Sequence, residues 1–435
     1  MLGKPEPIAP TLQPVTSAPP PSAVEQSTGL VALVSLISAA ASLKLVELPS
    51  ERTVFALWVL IAAVAIPCLS FEVAKMPVWP LHGAIPDQHR RNRVAIKLIG
   101  LAGIYALLGL AYWVLPIYQR DFRHFFIFIT PAIPIILLTA PVYVWLTDRS
   151  MKEPVDGCFM TGLALIGRWG DVSWKLVRNY AAGWLVKGFF LPFMLEAAFH
   201  DVQWFLATDL KSQLLESQYG WYELTFRTLY GVDVIWGSTG YLMTLRLFQT
   251  HVRSTENTLD GWLICLICYA PFWALIYGNY LNYEDGFYWA YWLSDQPVLR
   301  ALWGAAILAL TVIYCWATIS FGARFSNLTH RGILTNGPYR WSKHPAYIAK
   351  NLSWWLISMP FLSAGGPADA VRFSLLLLGV NAIYYWRAKT EERHLSADPV
   401  YQRYTQWIAT YGLLAMLKAL FIRSYKVMQG RNLPI

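Results

Sequence analysis

The chain has 435 residues, 56% of them hydrophobic and only 14% charged, whereas a soluble domain carries roughly a quarter charged residues. Its formal charge of +9 raises the question of a nucleic-acid partner. That class is excluded because the basic residues are scattered over separate polar loops and do not interleave with aromatics along one groove. Twenty-one Trp and 24 Tyr add to the membrane signal, since these side chains collect where hydrocarbon meets water.

Residues 1–27 read as a disordered tail, broken by Pro5, Pro7, Pro10, Pro14 and Pro19 to Pro21 and poor in large hydrophobics. It lacks the charged start and apolar run of a signal peptide, so insertion falls to the first helices. Apolar stretches able to cross a core of about 30 Å follow at 29–43, 53–71, 94–117, 124–146, 177–199, 222–247, 259–280 and 300–321. Two more, 352–364 and 370–386, are separated by Gly365, Gly366 and Pro367 and read as a helical hairpin. The expected fold is therefore all-α, a polytopic integral membrane protein of about ten transmembrane helices. Residues 28–299 form an N-terminal helical region of unassigned role, and 300–435 a separate C-terminal region.

Orientation follows from Lys and Arg in the loops. With the N-terminus in the cytoplasm, 23 of the 35 fall on cytoplasmic segments and six on the opposite side. The outer loops instead carry Asp201, Asp209, Glu216, Glu284, Asp285 and Asp295, with aromatics such as Trp204, Trp221, Tyr283, Tyr288, Trp289 and Tyr291. These aromatics read as an interfacial belt, with a sugar- or headgroup-binding lid as the alternative. Cys265 and Cys268 form a C-x-x-C with no second ligand pair and apolar neighbours. They read as small apolar residues, against a metal or redox site. Arg178, Lys187, Glu196, Glu223, Arg227, Asp233 and Arg246 lie at or near membrane depth, where ionisable groups face a partner or a cavity. Glu223 and Arg227 have the i, i+4 spacing of a pair, Lys187 and Glu196 could snorkel to opposite ends of one span, and a bound headgroup is the alternative. The sequons at Asn327 and Asn351 sit on the expected cytoplasmic side and read as incidental.

The chemistry concentrates in Thr335-Asn-Gly-Pro-Tyr-Arg-Trp-Ser-Lys-His-Pro-Ala-Tyr347 and, some forty residues on, Arg387-Ala-Lys-Thr-Glu-Glu-Arg-His-Leu395. Asn336-Gly337-Pro338 is turn chemistry, and Pro345 suits the first position of a helix. Arg387, Glu391 and Leu395 recur at i, i+4, i+8 and share a helix side. The hairpin returns that side to the face bearing the polar loop, where a water-soluble cofactor and a lipid-borne substrate could meet. On spacing alone, charges that merely anchor a hairpin at the interface fit equally well.

The pattern T-x-G-x-Y-x-W-x-x-H-P-x-Y followed by R-x-x-T-E-E-x-x-L is similar to the paired signature of isoprenylcysteine carboxyl methyltransferases, with a looser version in phospholipid N-methyltransferases. The resemblance covers about residues 322–410. It implies S-adenosylmethionine as cofactor, S-adenosylhomocysteine as product, and a cytoplasm-facing pocket built by the C-terminal helices. Carried over, Tyr339, His344, Pro345, Ala346 and Tyr347 would line the cofactor pocket, Ile333 and Leu334 would contribute backbone contacts, and Glu391 would hold a polar part of the cofactor. Arg387 would face the substrate as the catalytic residue, and Arg324 falls at a further cofactor contact whose flanks do not match. Methyl transfer is an in-line displacement, so alignment and water exclusion supply most of the catalysis. An Arg suits a carboxylate or phosphate acceptor.

Two departures stand out. Ile348-Ala349-Lys350 replaces the family's glycine at a close helix contact, and Asp398-Pro-Val-Tyr-Gln-Arg-Tyr404 keeps a tyrosine pair without the usual glycine. The expected function is an integral membrane methyltransferase acting on a carboxyl or other nucleophile of a lipid-like or isoprenoid-linked substrate, with both termini cytoplasmic. Alternatives are a phospholipid N-methyltransferase, an NADPH-dependent sterol or isoprenoid reductase, and a transporter or scaffold with an inactive methyltransferase end.

Overall fold

Long apolar windows make helices throughout, because in lipid only intrasegment hydrogen bonds satisfy the backbone. The computed structural model describes residues 17–76, 88–216 and 219–428. Its helices are α1 (Gln26–Leu45), α2 (Thr53–Ala74), α3 (Arg90–Val114), α4 (Pro116–Asp121), α5 (Arg123–Ile129), α6 (Ile133–Ser150), α7 (Gly157–Leu165), α8 (Trp174–Ala207) and α9 (Leu210–Glu216). The second half adds α10 (Gly220–Leu242), α11 (Leu259–Leu266), α12 (Phe272–Ile276), α13 (Trp289–Trp292), α14 (Pro297–Ile319), α15 (Pro345–Ser358), α16 (Pro367–Leu395), α17 (Pro399–Tyr411) and α18 (Leu413–Met428). One antiparallel pair, β1 (Ser254–Thr255) and β2 (Thr329–His330), joins two loops. The fold is otherwise all-α.

Among the described residues, seven helical segments are long and apolar enough to cross a membrane: α1, Ser50–Ala74, α3, Arg123–Ser150, α8, α14 and Pro399–Ile422. The difference from the ten expected stretches has local causes. The 222–247 stretch does form α10, but Glu223, Arg227 and Asp233 lower its hydropathy. The 259–280 stretch breaks into α11, α12 and a π-helical turn at Tyr277–Leu281. α15 has 14 residues, fewer than the ~20 that a straight span needs, while α16 ends in a charged third. Pro399–Ile422, which lies outside the ten expected stretches, bends at Gly412, whose ψ of 167° ends α17.

Lipid-facing surfaces are visible as exposed apolar side chains, for example Leu137, Leu138 and Val142 on α6 and Trp113 on α3. A belt of this kind in water would be an aggregation surface. The seven helices and this belt support a membrane protein.

Polar contacts segregate by side. At one end Lys44 donates to the last carbonyls of α8, Leu206 (2.9 Å) and Thr208 (2.7 Å), where a cation also meets the negative helix end. There too His124 Nδ1 lies 2.6 Å from Glu196, and Ala364 N–H donates to Asp285. At the other end Arg93 and Lys97 hold the buried Asp148 at 2.6 and 2.9 Å, and Arg393 meets Asp260 at 2.9 Å. Lys44 with Leu206 and Thr208, and Arg93 with Asp148, are contacts between loops expected on one side of the membrane.

Of the buried-ion readings, Glu196 pairs with His124, not with solvent. Glu223 accepts from Gln213 (3.0 Å) while Arg227 lies over Trp204. The outer aromatics divide: Tyr283 and Trp289 are core residues, whereas Tyr288 and Tyr291 are exposed. The five cysteines are free, with Cys265 buried.

The expected disordered tail reaches residue 27. Residues 1–16 lie outside the described residues, but from residue 17 onward the chain is seated on the C-terminal region. Ala23 N–H donates to the Ile333 carbonyl at 2.8 Å, Thr335 Oγ1 to the Pro20 carbonyl at 2.6 Å, Asn336 to the Val24 carbonyl at 2.8 Å and Trp407 to the Ser17 carbonyl at 3.1 Å.

Candidate active site

The loop from 320 to 344, between α14 and α15, is the centre of the site, and a buried arginine shapes it. Arg331 is 3% exposed and donates to five carbonyls: Thr250 (2.7 Å), Gly240 (2.8 Å), Phe325 (2.8 Å), Ala323 (2.7 Å) and Met243 (3.3 Å). A guanidinium carries five N–H donors in a fixed fork, so one side chain gathers the loop and the end of α10. Gly240 permits that approach, since a Cβ there would lie 2.5 Å from the Phe325 carbonyl oxygen.

Asn327 forms a second hub. Its backbone and side-chain N–H groups donate to Tyr241 Oη at 2.8 and 3.0 Å. Its Oδ1 accepts from Arg387 (2.8 Å) and from Tyr269 Oη (3.2 Å). Being 8% exposed, this sequon asparagine is engaged inside the fold.

The hairpin places the second motif opposite. Pro345 opens α15 as expected; residues 359–366 turn the chain, and α16 brings Arg387 and Glu391 back. Asn351, Asn381 and Trp355 fasten the two helices, with Asn381 donating to Asn351 (2.5 Å) and accepting from Trp355 (2.8 Å). α17 then crosses the loop. Tyr401, Tyr404, Trp407 and Ile408 pack on Ile333, and Tyr404 donates to the Tyr339 carbonyl at 2.7 Å.

A cavity of about 200 Å³ opens between these elements. Of the residues singled out in the sequence, Arg324, Ile333, Leu334, Tyr339, His344, Ala346, Tyr347, Arg387 and Glu391 line it. Pro345 does not; it is buried at the start of α15 and orients its neighbours.

Glu391 is the focus of the polar wall. Tyr347 Oη donates to it, Arg387 Nε lies at 3.4 Å and His344 Nδ1 at 3.8 Å. The His344 and Tyr347 rings stack with centroids 5.6 Å apart, and His344 Nε2 lies 3.1 Å from Glu392. Arg387 is 4% exposed, sandwiched between the Tyr269 and Tyr347 rings at 5.2 and 5.1 Å.

Arg324 also has structural partners within the fold. Its Nε and Nη2 clasp Glu72 of α2 at 2.9 and 2.6 Å, and its Nη1 donates to the Arg331 carbonyl at 2.9 Å. It lines the cavity as a brace of the loop.

Two loop histidines stay neutral. Burial pushes the His330 imidazole down to about 4, against the pull of Asp398, with Arg253 and His394 adding to the depression. Burial also pushes His251 down to about 3, helped by Arg246, Arg253, Arg324 and Arg331.

The donor set suits a cationic, polar, aromatic-bearing cofactor. Tyrosine faces and a carboxylate line one wall, and the buried Tyr401 hydroxyl has no hydrogen-bond partner among the described residues. Such an orphaned group costs about 1–3 kcal/mol unless a ligand or water meets it.

The comparison that decides the region's kinship is to the isoprenylcysteine carboxyl methyltransferase (ICMT) family, whose model matches residues 299–397. Residues 299–397 are ICMT-like. The match runs from the start of α14 past the end of α16 and contains both motifs. No curated protein and no solved structure matches the chain. Sequence reading missed Asn327, Arg331 and Glu72 around this ICMT-like region. Asn327 and Arg331 lie within the match but outside the quoted motifs, and Glu72 is far upstream at the end of an apolar span.

Proposed function

We propose that the protein is an integral membrane methyltransferase that uses S-adenosylmethionine to methylate a carboxyl or other nucleophile on a lipid-like acceptor. One observation carries the reading: His344 and Tyr347 of the first motif converge with Arg387 and Glu391 of the second on one cavity. The ICMT match over both motifs supports it. By the Lys and Arg count, the cavity mouth faces the cytoplasm and the hairpin of α15 and α16 faces the bilayer, in a bundle of about ten membrane helices.

Bound S-adenosylmethionine would supply an electrophilic methyl carbon on a sulfonium. The Glu391 carboxylate complements that positive charge, and the Tyr347 hydroxyl and Arg387 guanidinium hold Glu391 in place. Tyr339, His344 and Ala346 shape the cofactor wall, with Ile333 and Leu334 offering backbone groups. The Ile333 carbonyl is already taken by Ala23, leaving its N–H side for a ligand. Tyr401 and Tyr404 of α17 close the aqueous side, and excluding water strengthens each of these interactions. A carboxylate acceptor needs no general base, so positioning is the chief task.

Calorimetric titration of the detergent-solubilised full chain with S-adenosylmethionine, S-adenosylhomocysteine and NADPH tests the reading. Binding of both methionine-derived ligands without NADPH is expected. A folded protein that binds neither, or binds NADPH instead, overturns it.

A further inference from the structure

Five Lys or Arg side chains line the cavity, and four already have hydrogen-bond partners. Arg324 is held by Glu72, Arg331 by backbone carbonyls, Lys343 by Glu392 at 2.7 Å and Arg387 by Asn327, Tyr269 and Glu391.

Lys350 is the exception. Its Nζ stands 5.5, 5.3 and 5.8 Å from the ring centroids of Tyr314, Trp354 and Tyr384. Ring faces attract an ammonium but accept no conventional hydrogen bond. Among the described residues no oxygen accepts a hydrogen bond from Nζ and no carboxylate pairs with it. Asp233 is the opposite charge that acts on it, but from beyond ion-pair distance, its two oxygens each accepting from a hydroxyl, Tyr314 at 2.7 Å and Thr318 at 2.5 Å. A desolvated ammonium is strongly unfavourable without acceptors, and here its donors are available to whatever enters the cavity from the hairpin side.

We propose that Lys350 is a specificity-determining residue of the acceptor site, binding an anionic headgroup, carboxylate or phosphate, on an amphipathic acceptor. The apolar part of that acceptor lies along Tyr314, Trp354 and Tyr384. The inference rests on the methyltransferase reading for the word acceptor, but anion binding stands on the cavity itself. Lys350 belongs to the Ile348-Ala349-Lys350 run that stands where the family resemblance leads one to expect a glycine.

The experiment uses the full chain in an uncharged detergent at fixed concentration, with decanoate, decylphosphonate and methyl decanoate as probes. Affinities are measured by thermophoresis with and without saturating S-adenosylhomocysteine. The wild type should prefer at least one anion over the ester by about tenfold or more. Lys350→Met and Lys350→Gln should abolish that preference, and Lys350→Arg should keep it. S-adenosylhomocysteine affinity within about twofold of wild type shows that the variants are folded. No preference in the wild type, or an unchanged preference in the Met and Gln variants, overturns the proposal. Absent S-adenosylhomocysteine binding in the wild type instead sinks the methyltransferase reading, and the cofactor-free arm still decides the anion site.

Discussion

Glu72 and Arg324 lie 252 positions apart in sequence, yet they form a bidentate pair at 2.9 and 2.6 Å, each under a tenth exposed. Replacing Glu72 with Gln keeps the shape but leaves the Arg324 charge buried without a counter-ion. Breaking such a pair from one side costs about 3–5 kcal/mol, whereas replacing both partners with apolar residues is often neutral. With an unfolding entropy of about 2.1 cal/mol/K per residue, the whole chain gives about 0.9 kcal/mol/K, so Glu72→Gln should lower Tm by about 3–5 °C. A smaller unfolding unit would enlarge that shift. The double variant Glu72→Met with Arg324→Met should recover most of it, short of about 1 kcal/mol for the lost bond to the Arg331 carbonyl. Thermal unfolding by intrinsic fluorescence in detergent reads the cycle, with S-adenosylhomocysteine titrated into each variant. A Glu72→Gln protein within 1 °C of wild type, or a double variant no more stable than the single, refutes the idea that this pair braces the loop.

Glu391→Gln retains an acceptor for Tyr347 but removes the charge. It should weaken S-adenosylmethionine binding by about tenfold or more and S-adenosylhomocysteine, which lacks the sulfonium charge, distinctly less; calorimetry that finds equal losses counts against the assigned role. Gly332 has φ +123°, and a Cβ there would lie 2.5 Å from that of Ala23, so Gly332→Ala should cost about 1–3 kcal/mol of backbone strain alone and weaken cofactor binding, read by thermal shift with and without ligand. His330 and His251 stay neutral in the fold, with values of about 4 and about 3, while an unfolded imidazole takes a proton near pH 6.5. The unfolded chain thus binds the extra protons, and stability from these groups is complete above about pH 6.5 and falls by about 1.4 kcal/mol per unit and per histidine as pH drops toward 4. Unfolding midpoints measured from pH 7.5 to 4.5 should show a shallower decline for His330→Gln than for wild type.

The parts of the site legible in sequence are those whose partners lie nearby or whose spacing is periodic. Pro345 marks a helix start by its own covalent geometry, and Arg387, Glu391 and Leu395 share a face because a helix repeats every 3.6 residues. Lys350 shows in the sequence only as the end of the Ile348-Ala349-Lys350 run, because its meaning depends on rings from α14 and α16 arriving around it. Asn327 reads as an incidental sequon for the same reason, its partners Tyr241, Tyr269 and Arg387 being 58 to 86 positions away. The proline-rich tail shows the opposite failure. Composition predicts disorder wherever a segment cannot bury enough apolar surface. Residues 17–25 are nevertheless held through their backbone groups by the Ile333 carbonyl and the Thr335, Asn336 and Trp407 side chains, and composition does not register that source of order.

These contacts bear on how the chain divides. A boundary near residue 300 follows the family match, yet the signature loop takes its shape from residues on the other side of it. Glu72 of α2 holds Arg324, Trp236 of α10 donates to the Gly322 carbonyl at 3.0 Å, and the Gly240, Met243 and Thr250 carbonyls hold Arg331. β1 pairs with β2, and residues 17–25 lie against Ile333 and Thr335. Removing the N-terminal region would expose an arginine fork and a row of backbone groups, each costly to leave unpaired. Residues upstream of the ICMT-like region therefore shape the loop that lines its cavity, and Glu256, Gly261, Cys265 and Tyr269 line that cavity directly. A substitution in α2 or α10 should accordingly reach the cofactor site by moving the 320–344 loop, without touching either motif.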